Sequence, residues 1–260
     1  MDSTLSSQRI ASLCRPAARQ VAVEVVAHTG STNTDLLERA GSLAAPTLLL
    51  AEEQTGGRGR LGRRWHSAPG ASLTFSLAWP FQRSLQQLAG LTLAVGVTLV
   101  RALRAFGVRT ELKWPNDVLR DGKKLAGVLV ETTAVGERTW AVIGVGVNLA
   151  LPDELEAQIG QPVADARWLA KLDRNTLMAG VLSEMAEGLT LFGTQGFAPY
   201  VSQWNGMHAH AGKQVVVLDD GRVMHQGMAA GVDAGGRLLL DTVSGWIAVI
   251  AGDVSLRAKE

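Results

Sequence analysis

The sequence predicts an α+β fold that ends in a small all-β appendage, and three observations carry that prediction. The segment Ser72–Trp79 alternates strictly. Leu73, Phe75, Leu77 and Trp79 fall on one side, and Ser72, Thr74, Ser76 and Ala78 on the other, which is the period of a half-buried strand. Residues 84–106 place Leu88, Leu91, Val95, Leu99, Ala102 and Phe106 on one helical stripe. Leu93, Val97 and Val100 make the other side apolar too, so this helix is covered on most sides. From Gly212 onward, short β-rich runs alternate with Asp/Gly turns, which sets a domain boundary near 206–212. The chain therefore divides into an N-terminal arm (1–20), a main domain (21–208) and a C-terminal domain (209–260).

Taken in order, residues 1–20 are polar and weakly patterned, as a short helix or a frayed arm would be. Val21, Val23 and Val25 alternate with Ala22 and Glu24 as a strand. The run Ser31-Thr32-Asn33-Thr34-Asp35 is rich in N-cap residues and opens a short amphipathic helix through Leu36, Leu37 and Ala40, closed by Gly41. Thr47–Ala51 is a second strand. After the strand at 72–79 and the long helix, Thr110–Trp114, Val118–Arg120, Lys123–Thr132 and Arg138–Asn148 form a meander. Its strongest hairpin signal is Asp121-Gly122. Gly144 and Gly146 inside the last strand point to close approach of a ligand or another backbone. Residues 151–167 lack apolar periodicity and read as a loop. Asp173 caps a helix to about Phe192, and a further helix covers about Phe197 to Asn205. The C-terminal runs are Gln214–Leu218, Arg222–Gly231, Arg237–Asp241 and Gly245–Ile250.

Composition narrows the function classes. A net charge of +1 argues against a dedicated nucleic-acid binder and gives no attraction to an anionic membrane. One cysteine, Cys14, excludes an intramolecular disulfide and a Cys-based zinc site, in keeping with a cytoplasmic protein. The N-terminus has no continuous apolar stretch of the signal-peptide kind. Leu88–Val100 is too short to span a bilayer.

The chemistry concentrates in Gly57-Arg58-Gly59-Arg60-Leu61-Gly62-Arg63-Arg64-Trp65. Arginine presents a planar fork of donors suited to carboxylate and phosphate. Glycine permits positive φ and close approach of backbone. The spacing matches G-x-G-x-x-G formally, but a Pro-Gly turn and a strand follow rather than a helix, so a dinucleotide site is excluded. Lys113-Trp114-Pro115-Asn116-Asp117 adds a cation, an amide and a carboxylate around a turn. Lys124 follows on the next strand, pointing either into the polar pocket or out to water. Such a cluster holds together two anions whose repulsion would otherwise oppose reaction, as when a carboxylate attacks a nucleoside triphosphate.

These residues resemble a known family. Ser31-Thr32-Asn33, Gln54, the Gly57–Trp65 loop, Lys113–Asp117, Lys124-Leu125-Ala126-Gly127 and Gly144-Val145-Gly146-Val147-Asn148 occur in the order and rough spacing of biotin protein ligases, over about residues 28–257. The resemblance implies a mixed β-sheet flanked by helices, like that of class II aminoacyl-tRNA synthetases, with an SH3-like C-terminal barrel. It implies ATP- and Mg²⁺-dependent conversion of biotin to biotinyl-5′-AMP, then transfer to a lysine of biotin carboxyl carrier protein. By position, Ser31, Thr32, Asn33, Gln54, Arg58, Gly59, Arg60, Lys124 and Gly127 would contact biotin. Arg58, Arg60, Trp65, Asn116 and Asn148 would lie at the nucleotide. Arg60, Lys113, Asp117 and Lys124 would act in catalysis, with Asp117 holding Mg²⁺ or taking the proton of the incoming lysine.

The sequence departs from the family in places. Some members carry an N-terminal winged helix-turn-helix; some 20 residues precede the first strand here, too few for one, so a ligase without DNA binding is expected. Position 61 is Leu where some members are basic. Trp168 is read as core rather than as a cover for adenine, and Trp79, Trp140, Trp204 and Trp246 as packing residues. A homodimer is left open. The competing readings are a lipoate or octanoate protein ligase and a nucleic-acid-binding module.

Overall fold

The computed structural model describes residues 4–159, 163–252 and 254–258. Residues 1–3 of the expected arm and 160–162 of the expected loop lie outside the described residues. Seven strands form the main sheet: β1 (Ala22–Thr29), β2 (Thr47–Gln54), β3 (Ser72–Phe81), β4 (Glu111–Lys113), β5 (Asp117–Arg120), β6 (Lys123–Val135) and β7 (Arg138–Asn148). Their order is β1-β2-β3-β7-β6-β5-β4. β1 pairs with β2 in parallel, and the other pairs are antiparallel, so the sheet is mixed. The β5–β6 hairpin turns at Asp121 (φ 51) and Gly122 (φ 75), the two left-handed residues that a tight hairpin of this hand requires.

The two faces of the sheet have different fates. One face carries Phe75, Leu77, Ile143, Val145 and Val128 into a large core shared with α3 (Leu91–Ala105) and α5 (Arg174–Gln195). Burying each such side chain is worth about 1.5–3 kcal/mol. α1 (Ser7–Leu13) joins this layer. Ile10 is buried, and the Ser6 backbone N–H donates to Asn175 Oδ1 at 2.8 Å, so residues 4–20 dock on α5. The opposite face is divided. Leu49, Ala78, Trp140 and Val142 lie under α2 (Thr32–Arg39), while Thr74, Ser76, Gly144 and Gly146 floor a cavity. Strand β3 is therefore buried on both sides, where alternation alone predicts one wet face.

Three expectations are corrected. The helix over 84–106 is interrupted: a short 3₁₀ turn (Leu85–Leu88) precedes α3, and Gly90 between them has φ 81. A Cβ at Gly90 would stand 2.5 Å from Phe197 Cγ, so the break makes room for that ring. The expected loop at 151–167 contains α4 (Asp153–Ile159), and the Ala164 N–H donates to Lys124 O at 2.8 Å, laying this segment beside β6. Trp246 is 66% exposed rather than packed.

After α6 (Val201–Asn205) come β8 (Gln214–Asp219), β9 (Arg222–Val232), β10 (Leu238–Thr242), β11 (Gly245–Val249) and β12 (Val254–Ala258). They form an antiparallel sheet in the order β11-β10-β9-β8-β12. β12 is a fifth strand beyond the four expected. This sheet is fastened behind the Lys113–Asp117 turn: the Trp114 indole N–H donates to Gly236 O at 3.2 Å.

Candidate active site

The cavity over β3, β7 and β6 has a volume of about 470 Å³. Its polar floor is built where strand register and helix entry meet. Ser31 is the N-cap of α2, and its Oγ accepts the Thr34 N–H at 3.5 Å. Gln54, the last residue of β2, reaches back with Oε1 to accept the Thr32 N–H at 2.8 Å. Thr32 Oγ1 lies 2.6 Å from Ser76 Oγ, and Ser76 donates to Asn33 Oδ1 at 2.5 Å. Thr32, Asn33 and Ser76 are all buried. Burying such a row of hydroxyl and amide groups is costly unless they satisfy one another, as these do, and the bonds fix each group in one orientation. Gly144 makes the row possible: a Cβ there would stand 2.4 Å from Asn33 Oδ1.

The Gly/Arg loop closes over this floor as a small hairpin. The Trp65 N–H donates to Gly57 O at 2.9 Å, and the Gly59 N–H donates to Arg63 O at 2.7 Å. Its tip turns through Leu61 (φ 58) and Gly62 (φ 67), and Leu61 is exposed there. Gly57 is required by crowding, since a Cβ would stand 2.6 Å from Trp65 O. The Trp65 ring lies against Gly146, whose added Cβ would meet Cε2 at 2.2 Å, and it faces Lys124 Nζ at 5.8 Å from the ring centroid. Arg60 donates to Asn116 Oδ1 at 3.2 Å and to Gly252 O, so one arginine bridges the Lys113–Asp117 turn and the C-terminal domain.

On the far wall, Lys124 points inward, with Nζ 2.7 Å from Asp117 Oδ1. Asn116 Nδ2 donates to Val128 O at 3.0 Å, which fixes the turn after the cis Trp114–Pro115 peptide. Asn148 Nδ2 donates to Ala164 O at 3.1 Å, tying the segment after α4 to the cavity wall. Burial holds the Lys113 ammonium below its ordinary pKa; Arg257, Lys124 and Arg63 add to this, and Asp117 opposes it. Arg58, Arg60, Arg63, Arg64, Lys113, Lys124 and Arg257 line the cavity, against Asp117 among the described lining residues and Glu131 paired to Arg58 at its border, so the field favours anions.

The structure thus brings every residue singled out for binding or catalysis to the edge of one cavity: Ser31, Thr32, Asn33 and Gln54 on the floor, Arg58, Gly59, Arg60 and Trp65 in the loop, and Lys113, Asn116, Asp117, Lys124, Gly127 and Asn148 on the walls. Sequence reasoning missed Ser76, placed on the wet side of its strand; only the alternation marked it as polar. It missed Arg257, which lies on β12, the strand beyond the four expected. Glu52, just before the loop, pairs bidentately with Arg174 at 2.5 and 2.8 Å. Trp168 neither packs in the core nor lines the cavity: it is 38% exposed, with Arg120 4.4 Å over its ring.

Comparison with known proteins fits this geometry. Residues 25–148 match the Biotin/lipoate A/B protein ligase family, and residues 210–257 match the Biotin protein ligase C terminal domain. The chain is 35% identical over 250 residues to the bifunctional ligase/repressor BirA of Escherichia coli, covering 92% of this chain and 75% of that one. The chain belongs to the biotin protein ligase family. Within the family, it is 34% identical to the biotin–[acetyl-CoA-carboxylase] ligase of Mycobacterium tuberculosis, over 89% of this chain and 88% of that protein. The fold matches the Aquifex aeolicus biotin protein ligase solved in complex with biotin and ATP, with a TM-score of 0.76 and 28% identity over 91% of this chain and 99% of that one. The two matched spans coincide with the cavity-bearing sheet and the C-terminal sheet, so the family's parts fall on the two layers that meet at Arg60 and Arg257.

Proposed function

We propose that this protein uses ATP to attach biotin to a lysine of biotin carboxyl carrier protein through biotinyl-5′-AMP. The observation that carries the reading is the junction of a buried hydroxyl–amide floor with a seven-cation wall in one cavity. The floor suits a compact polar heterocycle, and the wall suits a carboxylate beside a triphosphate.

In the first step, a biotin carboxylate oxygen attacks the α-phosphorus, and the bond to pyrophosphate breaks. Both reactants are anions, so the chief contribution of the protein is to cancel their repulsion. Lys124 stands where the carboxylate and phosphoryl oxygens meet, Arg58 and Arg60 close from the loop, and Lys113 takes the triphosphate side. Ser31, Thr32, Asn33, Gln54 and Gly127 orient biotin, while Trp65, Asn116 and Asn148 border the nucleotide. In the second step, a neutral lysine amine attacks the acyl carbon, the bond to AMP breaks, and the amine loses a proton. Asp117 is placed to receive it when Lys124 turns to the phosphate. The loop glycines let the hairpin settle over the mixed anhydride and keep water away.

Asp117 is already paired to Lys124, and no group of three or more His, Cys, Asp or Glu side chains that could hold a metal occurs among the described residues. That donor set does not fit a resident Mg²⁺; a Mg²⁺ enters with the nucleotide phosphates. We further read the main sheet as akin to class II aminoacyl-tRNA synthetases, residues 209–260 as an SH3-like unit and the site of action as the cytoplasm. Homodimer formation is testable by sedimentation. Biotin-dependent release of pyrophosphate from ATP tests the activity; release that ignores biotin rejects it.

A further inference from the structure

Glu131 lies on β6 on the same side as Gly127 and Leu129, which line the cavity. It is paired in register with Val142, a residue of the apolar cluster under α2. It therefore stands at the border where the sheet face changes from binding floor to helix packing. One of its oxygens, Oε2, accepts two bonds: from Asn33 Nδ2 at 2.8 Å and from Arg58 Nη2 at 2.7 Å. The first partner belongs to the floor and the second to the loop that closes over it.

The two contacts do different work. Asn33 has two unlike ends. Ser76 donates to its Oδ1, so a carboxylate, which can only accept, at Nδ2 fixes the amide in one orientation. Arg58 needs an anion, and Glu131 supplies it at 2.7 Å. That ion pair is partly exposed, with the Arg58 side chain 43% and the Glu131 side chain 27% accessible, so it is weak and yields readily to a multiply charged phosphate. We propose that Glu131 is a positioning residue that holds Asn33 for biotin and latches Arg58 until a phosphate anion enters. This rests on the biotin-ligase reading for its substrates, and on geometry alone for the latch.

The test compares Glu131→Ala and Glu131→Gln in the full chain. Glutamine retains an oxygen that can accept from Asn33 but offers Arg58 no charge. In the pyrophosphate-release assay, the alanine variant should raise KM for biotin about tenfold with kcat within about threefold, the loss expected for one hydrogen bond to a charged group. The glutamine variant should restore the biotin KM to within about twofold of wild type and lower the KM for ATP about threefold, as expected when a weak competing ion pair is removed. Calorimetry with inorganic pyrophosphate reads the latch without turnover, and the glutamine variant should bind it about threefold more tightly than wild type. Equal biotin KM values for alanine and glutamine variants, or unchanged pyrophosphate affinity, would overturn the proposal. If wild-type protein shows no biotin-dependent release, the functional reading fails first, and the calorimetric comparison still decides the latch. Should the alanine variant not fold, the glutamine variant and calorimetry decide the matter.

Discussion

Replacing Gly144 by alanine strikes the floor at its tightest point. The added Cβ would stand 2.4 Å from Asn33 Oδ1 and 3.0 Å from Asn33 Cγ. Ordinary heavy-atom contacts begin near roughly 3.5 Å, so the amide must retreat by about 1 Å. That movement breaks the bonds from Ser76 and to Glu131, now 2.5 and 2.8 Å long. Each buried group left unpaired costs about 1–3 kcal/mol, and partial relaxation brings the net loss to about 2 kcal/mol. For a chain of this size that is about 4–8 °C in Tm. A 1 Å error in a positioning residue costs about 100-fold in kcat/KM. In the proposed function Asn33 orients biotin and does not meet the reacting atoms, so the loss should fall on KM for biotin. The assay is initial-rate pyrophosphate release across biotin concentrations, with a thermal melt to show the variant folded. A folded Gly144→Ala protein with the wild-type KM for biotin would refute this account of the floor.

Other outcomes follow from the same geometry. Arg60→Gly should let the adenylate leak about 10- to 100-fold faster in a filter-trap assay, because a charge-assisted contact to phosphate is worth about 1.5–3 kcal/mol; unchanged retention counts against the clamp. Lys124→Ala should cut adenylation about 100- to 1,000-fold, the usual cost of one group that stabilises developing charge, and near-normal release rejects its role. Burial lowers the pKa of His208 and of His210 to about 4, from the ordinary 6.5. The unfolded chain therefore binds protons the folded one does not between those values, and stability falls as pH drops from 6.5 towards 4. The His208 ring lies tilted against Trp204, centroids 4.7 Å apart, and neither ring nitrogen has a hydrogen-bond partner among the described residues. His208→Phe should thus fold normally at pH 7 and flatten the Tm-against-pH slope; an unaltered slope dismisses it as the titrating group.

Periodicity made the sheet legible, because burial on a pleated surface imposes period two and the turns carried their own chemistry, as Asp121-Gly122 did. It could not tell that Ser72, Thr74 and Ser76 face a cavity instead of solvent, since both environments favour the same polar residues. Gly144 and Gly146 read as marks of close approach by a ligand or another backbone, but what meets them is the side chains of Asn33 and Trp65, from distant parts of the chain. The break at Gly90 was hidden because its cause, Phe197, is more than one hundred residues away. Lys124 was ambiguous for the same reason: its direction is set by Asp117 across a hairpin with a register shift between Val118 and Leu119. The ordered set of motifs carried the chemistry of the site, whereas Arg257 and Glu131 gain meaning only from tertiary placement.

The most direct test of the central claim is pyrophosphate release by the wild-type chain, measured with ATP and biotin, with and without biotin carboxyl carrier protein. The account predicts about one equivalent of release per enzyme without carrier, held back by retained adenylate, and sustained turnover once carrier is added. Release that proceeds without biotin, or that responds to lipoate in place of biotin, would contradict it.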